Sequence, residues 1–367
     1  MPVIGTAGHV DHGKSTLIQT LTGRDPDRWR EEKQRGLTID LGFAWTTLPD
    51  GTEVSFVDVP GHQRFIKNML SGIEAIDVAL FVVAADEGWM PQSEEHLAVL
   101  DLLDISHGVV AITKTDRVDP DLVTLAGLEV EDRLEGTTLE GSTIVPVAPP
   151  TGLGIDALRT ALVDVIVAAT ETFHDGGRAR MWIDRAFTIA GSGTVVTGTL
   201  LDGPLSVDDK VMLWPGRIST RIRSLQSHER THTTLQPHTR AAANLVGIDH
   251  HDVSRGAMLG TPDAWSTTRH FLALIRTARY IQEPLTAKGA FHLHLGSGTR
   301  PVRLQPLDAT GVLGSSYALL SIDEPLTVKM GDRFIIREVG RRQVVAGGRV
   351  LDPQPVTRGR AALAVGP

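Results

Sequence analysis

Over roughly its first 170 residues the chain alternates solid apolar runs with stretches whose apolar positions recur at helical spacing. The solid runs Val54–Val59, Val78–Ala84, Gly108–Thr113 and Thr143–Val147 predict strands buried on both faces. Ser15–Leu21, Pro91–Leu103 and Ile155–Ala168 predict helices. In the last of these Leu158, Leu162, Val165 and Ile166 fall on one side. Pro49-Asp50-Gly51 predicts a tight turn between two strands, because Asp-Gly tolerates the positive φ such turns need. Strand–helix alternation predicts a doubly wound, mostly parallel sheet, with ligand loops at the carboxyl ends of its strands.

The texture changes after Glu171–Arg178, a polar and glycine-rich stretch that reads as a linker. Short β-branched runs then recur between Gly, Pro and Asp turns: Val195–Thr199, Lys210–Leu213, Ile218–Leu225 and Ala241–Val246. A second set follows at Phe271–Ile275, Ala290–Leu295, Tyr317–Ile322, Arg333–Arg337 and Val344–Val350. Each set predicts a small β-barrel. The expected fold class is therefore multidomain, α/β plus all-β: a P-loop domain over 1–172, barrels over 178–262 and 268–355, and a tail over 356–367.

The chemistry sits where this pattern places ligand loops. Gly8-His9-Val10-Asp11-His12-Gly13-Lys14-Ser15 follows the apolar Val3-Ile4 and opens a helical run, which is the strand–loop–helix setting of a phosphate-binding loop. Gly8, Asp11, His12, Gly13, Lys14, Ser15 and Thr16 are candidate nucleotide contacts. Loop amides and the helix N-terminus attract phosphate oxygens, Lys14 neutralises the β- and γ-phosphates, and the Ser15 hydroxyl is a Mg²⁺ ligand. Asp58 ends a second strand and is placed to hold Mg²⁺ through a water. Gly61 in Asp58-Val59-Pro60-Gly61-His62 lets a backbone N–H approach the γ-phosphate. Thr113-Lys114-Thr115-Asp116 ends a third strand. Asp116 can accept from the paired N1 and N2 donors of guanine, which adenine lacks, and Lys114 can lay its stem along the base. The nucleotide is expected to be GTP or GDP.

Between these motifs lies Arg35-Gly36-Leu37-Thr38-Ile39-Asp40. With it the chain resembles the translational GTPases, whose first switch contains an R-G-x-T-I string. The resemblance implies that Thr38 coordinates Mg²⁺ and senses the γ-phosphate. It also implies that His62 orients the attacking water, with Val10 and Leu37 holding it back until a partner triggers the reaction. Thr113-Lys114-Thr115-Asp116-Arg117-Val118-Asp119, Ile183-Asp184-Arg185-Ala186-Phe187 and His292-Leu293-His294 narrow the likeness, over residues 1 to about 352, to the selenocysteine-specific elongation factors.

That family implies delivery of selenocysteinyl-tRNA to the ribosome at recoded UGA codons, in the cytoplasm, with ribosome-triggered GTP hydrolysis by a monomer. Asp184, Arg185 and Arg240 match its selenocysteine pocket. There an anionic selenol is separable by charge from neutral serine, where size alone discriminates by only about 1–3 kcal/mol. The messenger RNA hairpin is expected to be read only through a C-terminal winged-helix region beyond this sequence. The rival expectations are a general aminoacyl-tRNA carrier of the elongation factor Tu type and a metabolic GTPase of the same architecture that binds no tRNA.

Composition adjusts this picture in a few places. The chain contains no cysteine, which excludes disulfides and thiolate zinc sites. Met1-Pro2-Val3-Ile4 runs directly into the first strand, so no secretory signal or membrane partner is expected. The net charge of −8 is unevenly spread: residues 268–367 carry 14 Lys and Arg against 7 Asp and Glu, and the rest carries 22 against 37. A basic final third on an acidic body is the footprint of local phosphate binding. His292 and His294 alternate on a strand and share a face, yet without a third ligand they are not expected to hold metal, nor are His250-His251-Asp252. Translational GTPases usually place Ser-Ala against the guanine, whereas this chain has Val147-Ala148-Pro149-Pro150. Ala148 still offers an N–H there, while the prolines offer none.

Overall fold

A computed structural model describes residues 1–26, 41–59, 76–170, 177–189, 191 and 193–356. Backbone contacts divide the chain into two units, one formed by 1–174 with 238–240, the other by 175–237 with 241–367.

The first unit runs β1 (Val3–Ala7), α1 (Lys14–Thr22), β2 (Gly42–Thr47), β3 (Glu53–Asp58), β4 (Val78–Ala84), α2 (Pro91–Leu102), β5 (Gly108–Thr113), α3 (Pro120–Leu134), β6 (Thr143–Pro146) and α4 (Ile155–Thr170). The strands form one sheet in the order β2-β3-β1-β4-β5-β6. Only β2 runs antiparallel to its neighbour. Every residue of β4 is buried, as expected for a central strand covered on both faces. Ile4, Phe56, Leu80 and Val82 pack with Leu17 and Ile18 of α1 and Leu158, Leu162 and Ile166 of α4. The turn at Asp50-Gly51 joins β2 to β3, with Gly51 at φ 88 and its N–H donated to the Leu48 carbonyl.

α3 escapes the sequence pattern for a physical reason. Its buried face is narrow (Ala126, Val130 and Leu134), while Leu122, Leu125 and Leu128 face solvent, so the apolar positions do not trace one stripe.

The second unit holds two all-β bodies. The first comprises β7 (Arg180–Ile189), β8 (Gly193–Asp202), β9 (Leu205–Ser206), β10 (Lys210–Trp214), β11 (Ile218–Ser227), β12 (Arg230–His232), β13 (Thr234–Leu235), β14 (Thr239–Leu245) and β15 (Met258–Gly260). Their sheet order is β10-β15-β7-β8-β14-β11-β12, and a further β10–β11 pairing closes a ring. β9 and β13 form a separate ribbon. Met181, Ile183, Val196, Leu213, Ile222 and Leu259 fill the interior.

The second body is a closed barrel in the order β16-β19-β18-β17-β20-β21, from β16 (Thr267–Thr277), β17 (Phe291–Leu295), β18 (Gly298–Pro306), β19 (Ser315–Thr327), β20 (Arg333–Glu338) and β21 (Gln343–Asp352). β16 shows the alternation a barrel wall requires: Phe271, Ala273 and Ile275 point inward, and Phe271 meets Phe334 edge-on at 5.9 Å.

Buried charge joins the two bodies. Arg180, only 3% exposed, donates to both Asp332 oxygens at 2.8 and 2.7 Å, and its Nε lies 2.9 Å from Asp202. Lys329 donates to the other Asp202 oxygen at 2.5 Å. At Gly296, φ 60, an added Cβ would stand 2.3 Å from the Trp182 ring, so only glycine permits the approach. Ser297 Oγ donates to the Ile183 carbonyl at 2.5 Å.

Removing one member of a buried pair leaves the other charge uncompensated. Arg180→Met, which keeps the packing but not the charge, is expected to destabilise the protein by about 3–5 kcal/mol. Urea unfolding followed by tryptophan fluorescence measures this, and an unchanged midpoint would remove the pair from the stabilising interactions.

Candidate nucleotide-binding site

The loop between β1 and α1 is shaped by backbone constraints before any side chain contributes. Gly8 has φ 127, and a Cβ on it would sit 2.1 Å from the Val82 carbonyl oxygen of β4. Gly13 has φ 84 and is the N-cap of α1, with no side-chain cap. The first amides of α1 therefore keep donor capacity for an anion, reinforced by the helix dipole.

Lys14 is the first residue of that helix and is 6% exposed. Its ammonium donates to the carbonyls of Gly8 at 3.0 Å and His9 at 2.5 Å, inside the loop. Burial lowers its pKa to about 8, against the opposing pull of Asp58 and Asp11. A buried cation within a ring of amides fits a phosphate group in charge and in hydrogen bonding.

Ser15 and Asp58 meet beside it. Ser15 Oγ donates to Asp58 Oδ2 at 2.6 Å, and Thr6 Oγ1 donates to Asp58 Oδ1 at 2.7 Å. Thr6 also accepts from the Val59 N–H at 3.1 Å, fixing the chain as it leaves β3. A fully buried carboxylate next to a hydroxyl is a hard-oxygen donor set, which fits Mg²⁺.

His12 is fully buried, and burial lowers its pKa to about 4, so the ring is neutral near pH 7. Nδ1 lies 3.3 Å from the Val82 carbonyl and must carry the proton to donate there. The His12 side chain thus fastens the loop to β4. Asp11, at φ 63, and Thr16 are exposed at the loop and the start of α1.

The base-reading end is tied to the same loop. Thr113, buried at the end of β5, donates its hydroxyl to the His12 carbonyl at 2.7 Å. Lys114 adopts φ 58, and its ammonium lies 2.6 Å from Glu87 and 3.1 Å from Asp86. Burial opposes its charge, but these carboxylates more than offset the cost and its pKa is raised. Asp116 is exposed in the following 3₁₀ turn. Ala148 departs from expectation. It is buried, and its N–H donates to the Leu153 carbonyl at 2.9 Å, closing its own turn. With Pro149 and Pro150 next in line, this turn has little donor capacity for a base edge.

Sequence reasoning missed a second layer of residues. Gly8 donates its N–H to His96 Nδ1 at 2.9 Å, and Val10 donates its N–H to Gln92 Oε1 at 3.0 Å. Both side chains come from α2. No sequence signal sets them apart, since Ser93, Glu94, Glu95 and Asp101 are polar positions on the same helix. Glu87 also stands 4.0 Å from His12 Nε2, so the segment after β4 touches both ends of the site.

Thr38, Gly61 and His62, together with Leu37, lie outside the described residues. Asp184 is half-buried on β7, at a break in register between Ile183 and Arg185, and accepts from Thr197 Oγ1 at 2.7 Å. Arg185 is the neighbouring half-buried residue. Arg240 has its guanidinium carbon 4.0 Å from the Phe43 ring centroid. His294 is buried and lies 3.1 Å from Thr299 Oγ1, while His292 is half-buried. Among the described residues, the group with ligand atoms close enough to share a metal is Asp249, His250 and His251, in a solvent-facing turn.

A mostly parallel sheet carrying this phosphate loop and base motif, followed in the chain by two β-barrels, defines a P-loop protein with the architecture of a translational GTPase. Residues 1–172 match the family model described as elongation factor Tu GTP binding domain, and residues 273–357 match selenocysteine-specific elongation factor, beta-barrel domain. The selenocysteine-specific elongation factor of Desulfomicrobium baculatum is 40% identical over 96% of this chain and 56% of its own length. That of Methanocaldococcus jannaschii is 30% identical over 91% of this chain and 75% of its own length. A crystal structure of bacterial selenocysteine-specific elongation factor EF-Sec superposes with a TM-score of 0.88, at 33% identity, over 98% of this chain and 60% of that one. The chain belongs to the selenocysteine-specific elongation factor family. It spans little more than half the length of the Desulfomicrobium relative. No helix among the described residues is long and apolar enough to cross a membrane.

Gly8→Ala meets both a forbidden φ and the Val82 carbonyl, so the loop must shift. Affinity for fluorescently labelled GDP is expected to fall on the order of 10²-fold or more, as for ångström-scale misplacement of binding groups. Far-ultraviolet circular dichroism should stay native, and GDP binding at the parent affinity would contradict the loop geometry.

Proposed function

We propose that this chain is the nucleotide- and tRNA-binding portion of a cytoplasmic factor that carries selenocysteinyl-tRNA to the ribosome and hydrolyses GTP there. The observation that carries the reading is the conjunction, in one chain, of a phosphate loop joined to a guanine motif and a barrel matching the selenocysteine-specific model. On this reading the chain acts as a monomer and engages no membrane. Messenger RNA is read by a region beyond residue 367. The functional divisions are 1–172, 178–262 and 268–355, with 356–367 as a tail.

In the nucleotide site, the amides from Asp11 to Thr16 and the Lys14 ammonium take the phosphates, while Gly8, its N–H held by His96, shapes the loop around them. Ser15 and Thr38, with Asp58 through a water, would hold Mg²⁺, which when bound neutralises charge on the phosphate oxygens. Thr38 and the Gly61 N–H sense the γ-phosphate and order the switch segments when it is present. His62 orients the attacking water. Hydrolysis needs positioning and charge neutralisation more than covalent chemistry, so a side chain brought in by the ribosome controls the rate. Lys114, held by Asp86 and Glu87, lies along the base, and Asp116 reads its edge. Ala148 contributes its N–H only if its turn opens. Asp184, Arg185 and Arg240 receive the charged selenol of the cargo, with Asp184 orienting an arginine or accepting from the α-amino group.

The decisive experiment uses one tRNA charged with either selenocysteine or serine. Ester hydrolysis is followed with the protein present, in GTP and in GDP. Protection of the selenocysteinyl ester alone, and only in GTP, is expected. Equal protection of both esters would favour a general aminoacyl-tRNA carrier, and protection of neither would favour a GTPase that binds no tRNA. For the base, Asp116→Asn is expected to shift preference from guanosine to xanthosine nucleotides by on the order of 10²-fold, because the reversed hydrogen-bonding edge leaves buried groups unpaired. Competition between GDP and XDP measures it, and unchanged selectivity would displace Asp116 from the base.

A further inference from the structure

The phosphate loop is held from behind by side chains of one helix. Gly8 N–H to His96 Nδ1 is 2.9 Å and Val10 N–H to Gln92 Oε1 is 3.0 Å. Gln92 and His96 are four residues apart on α2 (Pro91–Leu102), hence on one face, and His96 is 3% exposed. To accept from a backbone N–H, Nδ1 must be unprotonated. Burial first, then the Lys14 ammonium, keeps the ring neutral. The imidazole is therefore fixed in the state that accepts.

These bonds have a consequence for binding. A glycine-containing loop has many conformations, and a ligand needing one of them must bear the ordering cost. The Gly8 and Val10 amides bracket the residue whose carbonyl, with that of Gly8, accepts from Lys14. Holding the Val10 N–H fixes the peptide plane of the His9 carbonyl that takes the ammonium, and holding the Gly8 N–H fixes the peptide at which the loop begins. The bonds to α2 act on the loop alone: Gln92 and His96 supply no group to Ser15, Asp58 or Asp116 in the described contacts.

We propose that Gln92 and His96 are positioning residues that preorganise the phosphate loop and set how slowly guanine nucleotide leaves it. The proposal rests on the nucleotide reading of this site. The ligand class is the nucleoside diphosphate or triphosphate, and the effect falls on its phosphate end, so GDP and GTP are affected alike while base selectivity is unchanged.

The test is dissociation of fluorescently labelled GDP, chased with unlabelled GDP in a stopped-flow instrument, using the full chain. His96→Leu keeps volume and removes the acceptor. His96→Asn restores an acceptor, Oδ1, near the position of Nδ1. Gln92→Met keeps length and removes Oε1. Dissociation is expected to rise about 10-fold or more in His96→Leu and in Gln92→Met, the size of a lost buried hydrogen bond, and to stay within about threefold of the parent in His96→Asn. Preference for GDP over XDP should not move in any variant. If His96→Leu and His96→Asn release GDP equally fast, the ring acts through packing and the proposal fails. If Leu and Met variants release at the parental rate, it fails as well. Should His96→Leu not fold, Gln92→Met alone decides between these outcomes. A parent chain that holds no GDP overturns the nucleotide reading itself and this assignment with it, whereas a parent that binds while the variants match it overturns the assignment alone.

Discussion

A lysine ammonium buried beneath a loop of carbonyls is the constraint on which the first unit depends. Burial disfavours the charged form of Lys14, and its pKa falls to about 8 as a result. The fold accepts that cost because the carbonyls of Gly8 and His9 accept the protons and the Asp58 carboxylate supplies an opposing charge. Each of these groups is itself held: Gly8 by His96, Asp58 by Thr6 and Ser15, the loop carbonyl of His12 by Thr113. Three parallel strands and two helices thus converge on one charge. A phosphate satisfies the same ammonium better than carbonyls do, because it brings full negative charge to a site already stripped of water.

The second unit applies the same physics to another end. Arg180 is buried with two carboxylates, Asp202 and Asp332, and Lys329 completes the balance at Asp202. Such a cluster is a poor source of net stability compared with a packed apolar contact, yet it tolerates few alternative arrangements. Together with the Gly296–Trp182 approach, it specifies one relative placement of the two β bodies within this unit.

What the chain made legible follows from how local each feature is. β4, β5 and α4 were plain because continuous apolar runs and one-sided helical spacing are properties of a single segment. α3 was not, because its exposed leucines Leu122, Leu125 and Leu128 mask the narrow face it buries. β18 was missed because Thr299, Arg300 and a mid-strand Pro301 hide the alternation that Val302 and Leu304 make with Arg303 and Gln305. In the site, Gly8, Lys14, Ser15, Asp58 and Thr113 were readable from motif spacing, and the structure brings them together. Ala148 was read as a donor from sequence, but whether its amide is already used depends on Leu153 closing the turn, which no spacing rule encodes. Gln92 and His96 were invisible for a related reason: their partners are backbone amides some eighty residues earlier, and amides carry no sequence identity.

The two ends of the nucleotide site are therefore built on different principles. At the phosphate end the ligand groups are amides and a buried ammonium, and the side chains that matter most (His12, His96, Gln92 and Thr113) act on the backbone rather than outward. Binding there draws on preorganisation and charge, which every nucleoside diphosphate or triphosphate can use. At the base end Asp116 is exposed on a short turn, and Lys114 beside it is held by Asp86 and Glu87. Thr113 joins the ends, since it closes β5 just before Lys114 while its hydroxyl braces His12. Glu87 joins them again, between Lys114 and the His12 ring. The elements that carry Lys114 and Asp116 are thus joined by side chains to those that hold the phosphate loop.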